Sequence, residues 1–232
     1  MTKLRNRDLL LPYTLPFMAY LAIASVPLSW LGDSQAASYA LRITAAAAAL
    51  NWGARHYVSL LGPRSTAGSV GAGALAGVIG IALWVTLLLP FVDDNAAAPW
   101  PAAGFALRLI AASLLVPVFE ELLMRGYVLR VAVLWDRARR AGVPDPLGAA
   151  MDRDSIEDVE PGAWTPLAVA ISTVLFAVGH TPAEWPAACA YGALMAGLWI
   201  VRRDLLSCVI AHAVTNAGLA LYVLQSGQWA LW

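Results

Sequence analysis

Long apolar runs separated by short polar breaks dominate the chain, and their lengths set the architecture before any single residue is considered. Runs able to span a bilayer, which takes about 20 residues, lie at 9–31, 36–52, 70–92, 104–135, 165–181, 186–201 and 205–224. The pattern predicts an all-α fold, a polytopic membrane helical bundle of seven transmembrane helices. An eighth crossing arises if the long 104–135 run breaks at Pro117, which removes a backbone hydrogen bond. Pro12, Pro16 and Pro27 are expected to bend the first run, and Gly71, Gly73, Gly77 and Gly80 to let the third approach its neighbours closely. No repeat or boundary interrupts the pattern, so residues 1–232 read as a single transmembrane domain. One long polar segment, 136–162, carries Asp152, Asp154, Glu157, Asp158 and Glu160 and reads as a solvated loop.

Composition agrees with a membrane setting. The chain is 60% hydrophobic and 13% charged, against about 25% charged for soluble domains, and its mean hydropathy is positive. Fifteen basic residues balance fifteen acidic ones, and no basic stripe interleaved with aromatics appears, which argues against a nucleic-acid partner. Cys189 and Cys208 lie in apolar runs without CxxC spacing and read as small buried apolar residues. Lys3, Arg5 and Arg7 precede an apolar run too long for a signal peptide and lacking a small-residue cleavage site, so it reads as the first span.

Basic residues set the expected orientation. With the N-terminus inside, Lys3, Arg5, Arg7, Arg55, Arg64, Arg130, Arg137, Arg139, Arg140, Arg153, Arg202 and Arg203 fall on the inner side. Asp33, Asp93, Asp94 and Glu184 fall outside, and Arg42, Arg108 and Arg125 lie within predicted helices. Trp100, Trp164, Trp185, Trp229 and Trp232 sit near helix ends, where indoles anchor at the interface.

Chemistry concentrates in three places. Glu120 and Glu121 stand side by side in V-P-V-F-E-E-L-L-M-R-G-Y-V-L-R, residues 116–130. Ionisable groups at that depth cost several kcal/mol unless paired or hydrated. On a helix Glu121 meets Arg125 four residues on, while Glu120 turns toward another element. His180 follows Phe176 by four, and His212 precedes Asn216 by four, each pair sharing a helix face. A lone membrane histidine is more often a packed residue, but three separate runs each bearing such groups favour a site. Glu120 with His180 can hold and deprotonate a water, and His212 with Asn216 can stabilise an oxyanion. Depth complicates this: His212 lies roughly 10 Å and His180 roughly 22 Å from the inner face, so the helices must be staggered, tilted or broken.

Together E-E-x-x-x-R (Glu120, Glu121, Arg125), F-x-x-x-H (Phe176, His180) and H-x-x-x-N (His212, Asn216), in that order, resemble the CAAX prenyl endopeptidase family, also called CPBP, the CAAX proteases and bacteriocin-processing enzymes. The likeness covers about 104–224, which it marks as the catalytic core. It implies an intramembrane endopeptidase of the glutamic protease type, a hydrolase that cuts a protein or peptide substrate near its C-terminus. That substrate would be lipid-modified or C-terminally anchored among membrane lipids. By the same resemblance Glu120 and His180 activate water, His212 with Asn216 form the oxyanion site, and Glu121, Arg125 and Phe176 are structural. Some bacterial relatives accompany exosortase-type protein sorting and are similar in size, which implies a bacterial cytoplasmic membrane; the charge pattern above puts the N-terminus and the 136–162 loop on its cytoplasmic side.

Two other chemistries compete. Two histidines and a glutamate would make an open zinc site, although HExxH is absent and Asn216 is a poor zinc ligand, so no cofactor is the expectation and zinc the runner-up. A membrane binding or transport protein would use Glu120, His180 and His212 as a proton relay, and the inverted repeats that would favour it are absent.

Overall fold

In the computed structural model, which describes residues 4–92 and 97–232, seven long helices carry the seven apolar runs. They are α1 (Asn6–Ala24), α2 (Gln35–Gly53), α3 (Thr66–Leu88), α4 (Ala102–Arg140), α5 (Pro166–Val178), α6 (Trp185–Arg202) and α7 (Leu205–Ser226). No strand occurs among the described residues. Lys3, Asp93 and Asp94, used in the charge pattern, lie outside them.

Helix starts follow from local capping. Ser34, Ser65, Thr165 and Asp204 each accept a hydrogen bond from the backbone N–H three residues on, satisfying a donor the helix leaves orphaned. Gly227, at φ 74°, ends α7 in the left-handed conformation that glycine adopts without strain. Three helices are long and apolar enough to cross a membrane: α3 with its 3₁₀ extension (Thr66–Phe91), α4 and α7. The lipid-like exterior is plain at Leu75, Leu114 and Val178, which are 66%, 68% and 62% exposed.

The predicted ends shift in informative ways. The first run does not stay helical to 31: α1 stops at Ala24, and Pro27 opens a short 3₁₀ turn, Leu28–Leu31. Pro16 leaves the Pro12 carbonyl without its helical donor, and the Tyr57 hydroxyl donates to it at 3.0 Å. Gly73, Gly77 and Gly80 do lie in close contact; a Cβ on Gly77 would sit 2.6 Å from Val214 Cβ on α7. Gly71 packs against nothing, so it plays no part in that approach. Cys208 is buried as expected, but Cys189 is exposed.

The question of an eighth crossing resolves to one helix. α4 runs unbroken for 39 residues, Ala102–Arg140, but widens twice into π-helical turns, Ala111–Leu115 and Leu122–Val128, on either side of the two glutamates. Such turns mark functional sites more often than chance.

The 136–162 segment departs most from expectation. Residues up to Arg140 belong to α4, and beyond a largely exposed stretch Ala149, Ala150, Ser155, Ile156 and Val159 are buried against the bundle. Asn6, fully buried, donates from Nδ2 to the Ala150 carbonyl (2.7 Å), and its Oδ1 accepts from Ile156 N (2.9 Å). Arg130 donates to the carbonyls of Ile156 and Val159 at 2.9 and 3.0 Å. Arg7 pairs with Asp152 and Arg203 with Glu160. These bonds, with those from Leu205 and Leu206 N to the Leu60 carbonyl, gather the N-terminus, the α2–α3 loop, this segment and the α6–α7 turn at one basic end. At the other end Trp229 and Trp232 turn inward onto Phe105 instead of outward as anchors.

Candidate active site

Glu120, Phe176, His180, His212 and Asn216 line one cavity of about 180 Å³ between α4, α5 and α7. Glu120 is 13% exposed and lines that cavity. The predicted residues are thus brought together, although their pairings differ in part from those read from sequence.

His212 lies between the two glutamates. Its Nδ1 donates to Glu121 Oε1 at 3.0 Å, and its Nε2 is 3.9 Å from Glu120 Oε2. With Nδ1–H committed to Glu121, Nε2 is the nitrogen offered to the cavity. Glu121 also meets Arg125 Nη1 at 3.2 Å, as the i, i+4 spacing predicts, and both side chains are fully buried. Arg125 Nη2 donates to the Gly192 carbonyl at 3.1 Å. A chain Gly192–Arg125–Glu121–His212 therefore ties α6, α4 and α7 together. Nothing in the sequence signals the Glu121–His212 link, which spans 91 positions.

His180 sits beyond the end of α5, and its imidazole folds back along the helix. Nδ1 donates to the Phe176 carbonyl at 2.9 Å, leaving Nε2 as the free lone pair, and the two rings lie 4.7 Å apart. The fold-back removes the depth mismatch: the His180 ring comes down beside Phe176, whose ring is itself 6.1 Å from that of His212. Phe176 also underlies the Arg125 guanidinium at 5.5 Å, so it packs against three of the polar groups at once. Trp84 and Tyr191, not singled out in the sequence, close the walls, with ring centres 5.3 Å from His180 and 5.7 Å from His212. Apolar walls of this kind exclude bulk water and strengthen the electrostatics inside.

Asn216 is positioned by a defect in α4. Val116 N–H bonds to the Ala111 carbonyl in the first π turn, and Pro117 has no N–H, so the Ala112 carbonyl has no helical donor. Asn216 Nδ2 takes that place at 2.7 Å. Its second N–H remains for the cavity that the residue lines.

Among the described residues no three His, Cys, Asp or Glu side chains gather in a metal-binding arrangement.

An all-helical bundle with helices able to cross a membrane turns a carboxylate, two imidazoles and an amide into one cavity, the groups that hydrolysis within a membrane needs. Residues 102–218 match the model of the family described as type II CAAX prenyl endopeptidase Rce1-like. The chain belongs to that family and is a CAAX-type peptide hydrolase, which answers the binding or transport alternative. Neither the curated proteins nor the solved structures give a match.

Proposed function

We propose that this chain hydrolyses a peptide bond near the C-terminus of a membrane-held protein or peptide, by metal-free attack of an activated water. The observation that carries the reading is the convergence of Glu120, His180, His212 and Asn216 on one cavity from three helical elements. Glu120 and the free Nε2 of His180 bind a water, and Glu120 takes its proton as the oxygen bonds to the scissile carbonyl carbon. The oxyanion that forms accepts from the free Asn216 N–H and from His212 Nε2 when that nitrogen carries a proton. Collapse breaks the C–N bond, and the proton held by Glu120 passes to the leaving amine. Glu121 and Arg125 touch no reacting atom; they hold the His212 ring in register.

The substrate of this reading carries its cleavage site in the membrane, prenylated or anchored by an apolar C-terminal segment. The basic end faces the cytoplasm of a bacterial cell, in keeping with the positive-inside rule. The test is cleavage of C-terminally labelled peptides by purified protein stripped of metal. Turnover that is retained after chelation and lost in Glu120→Ala is the expected result. Stoichiometric zinc, with activity lost on chelation and restored by zinc, would replace this mechanism with the zinc-dependent one.

A further inference from the structure

Arg108 stands on the same face of α4 as Glu120. Residues 108, 112, 116 and 120 follow at i, i+4 spacing, and all four line the cavity. The Arg108 guanidinium carbon is 4.8 Å from the Trp100 ring centre and 4.6 Å from that of Trp232, so two aromatic rings hold the planar group by cation–π contact. Among the described residues no acidic side chain pairs with it and no acceptor takes its N–H groups. Glu184, the other charged lining residue outside the reacting cluster, is engaged by Thr181, whose N and Oγ1 donate to it at 2.8 and 2.7 Å. The Trp232 indole N–H is a buried donor without a partner among the described residues.

Arg108 is half-buried, so its N–H groups stay open to the cavity, and a fixed cation with open donors there suits an anion. A guanidinium presents a planar fork of N–H groups that fits a carboxylate in two parallel bonds. We propose that Arg108 anchors the free C-terminal carboxylate of the substrate and so sets how far from that end the chain is cut. The proposal rests on the reading of Glu120 as the water-activating group. Twelve positions separate Arg108 from Glu120, about 18 Å along a helix. An extended peptide rises about 3.4 Å per residue, so the released fragment is about five residues long.

The same chemistry suits a lipid phosphate, and the experiment separates the two. Phospholipid-free protein in detergent is given one apolar peptide series ending in a free acid or in a carboxamide. Wild type should prefer the acid by at least about tenfold in kcat/KM and release a fragment of about five residues. Arg108→Gln should cut acid and amide alike, and Arg108→Lys should keep part of the preference. Equal cleavage of acid and amide by wild type overturns the anchor and leaves Glu120-dependent hydrolysis standing. Binding tests the anchor without turnover: an N-acetylated apolar pentapeptide acid should raise the Tm of wild type more than its amide does, and not in Arg108→Gln. Equal shifts from acid and amide, or an Arg108-dependent shift given by phosphatidylglycerol and not by the peptide acid, overturn it.

Discussion

Pro117→Ala separates the architecture of α4 from its chemistry, because stability and activity should move in opposite directions. Pro117 lacks the N–H that would reach back to α4 carbonyls, and Asn216 Nδ2 occupies the vacant Ala112 acceptor at 2.7 Å. Alanine restores an N–H that bonds Ser113 in α register or Ala112 in π register, and either tightens the turn against Asn216. A proline inside a helix costs about 3 kcal/mol; the π turn already relieves part of that, so a gain of about 1 kcal/mol is expected, a rise of about 2–4 °C in Tm. Competition for one hydrogen bond is worth about 1–1.5 kcal/mol, which is about tenfold in kcat. Complete loss of an oxyanion donor costs about 10²–10³, so Asn216→Ala gives the upper limit. Thermal unfolding and labelled-peptide cleavage in the same detergent measure both. Wild-type kcat in a Pro117→Ala protein of equal or higher Tm would refute the argument that the freed carbonyl positions Asn216.

Other substitutions test other joints of the structure. Glu121→Gln leaves the buried Arg125 without its counter-charge, so a loss of about 3–5 kcal/mol is expected, read as a lowered Tm together with reduced turnover. Gly77→Val places branched carbon against Val214 and the Ala211 carbonyl on α7, and overpacking of this kind costs about 1–3 kcal/mol; an unchanged Tm would contradict the close α3–α7 approach. Asn6→Ala removes both bonds to Ala150 and Ile156, and hydrogen exchange should speed up across 150–159 while the helices stay protected.

Much of this was legible because membrane helices announce themselves by run length, and the three i, i+4 pairs announced the cavity. The apolar runs placed all seven helices, and Glu121–Arg125 follows from helix geometry alone. What stayed hidden depends on contacts distant in sequence or on backbone register. The polar composition of 136–162 concealed a packed segment, because its backbone carbonyls and N–H groups, more than its acidic side chains, make the contacts to Asn6 and Arg130. Pro117 signalled a kink, but the π turn and the carbonyl it frees need the neighbouring helix to become meaningful. Arg108 gave a faint signal as an arginine inside an apolar run; its aromatic clamp comes from Trp232, far along the chain.

The central claim is that Glu120 activates the attacking water while Glu121 holds His212. Comparing Glu120→Gln with wild type in one preparation tests it most directly, with Tm and single-turnover cleavage of a labelled peptide measured together. An unchanged fold is expected, with a fall in the cleavage step of at least about 10²-fold, the lower end of what a general base contributes. Wild-type cleavage by a folded Glu120→Gln protein would contradict it.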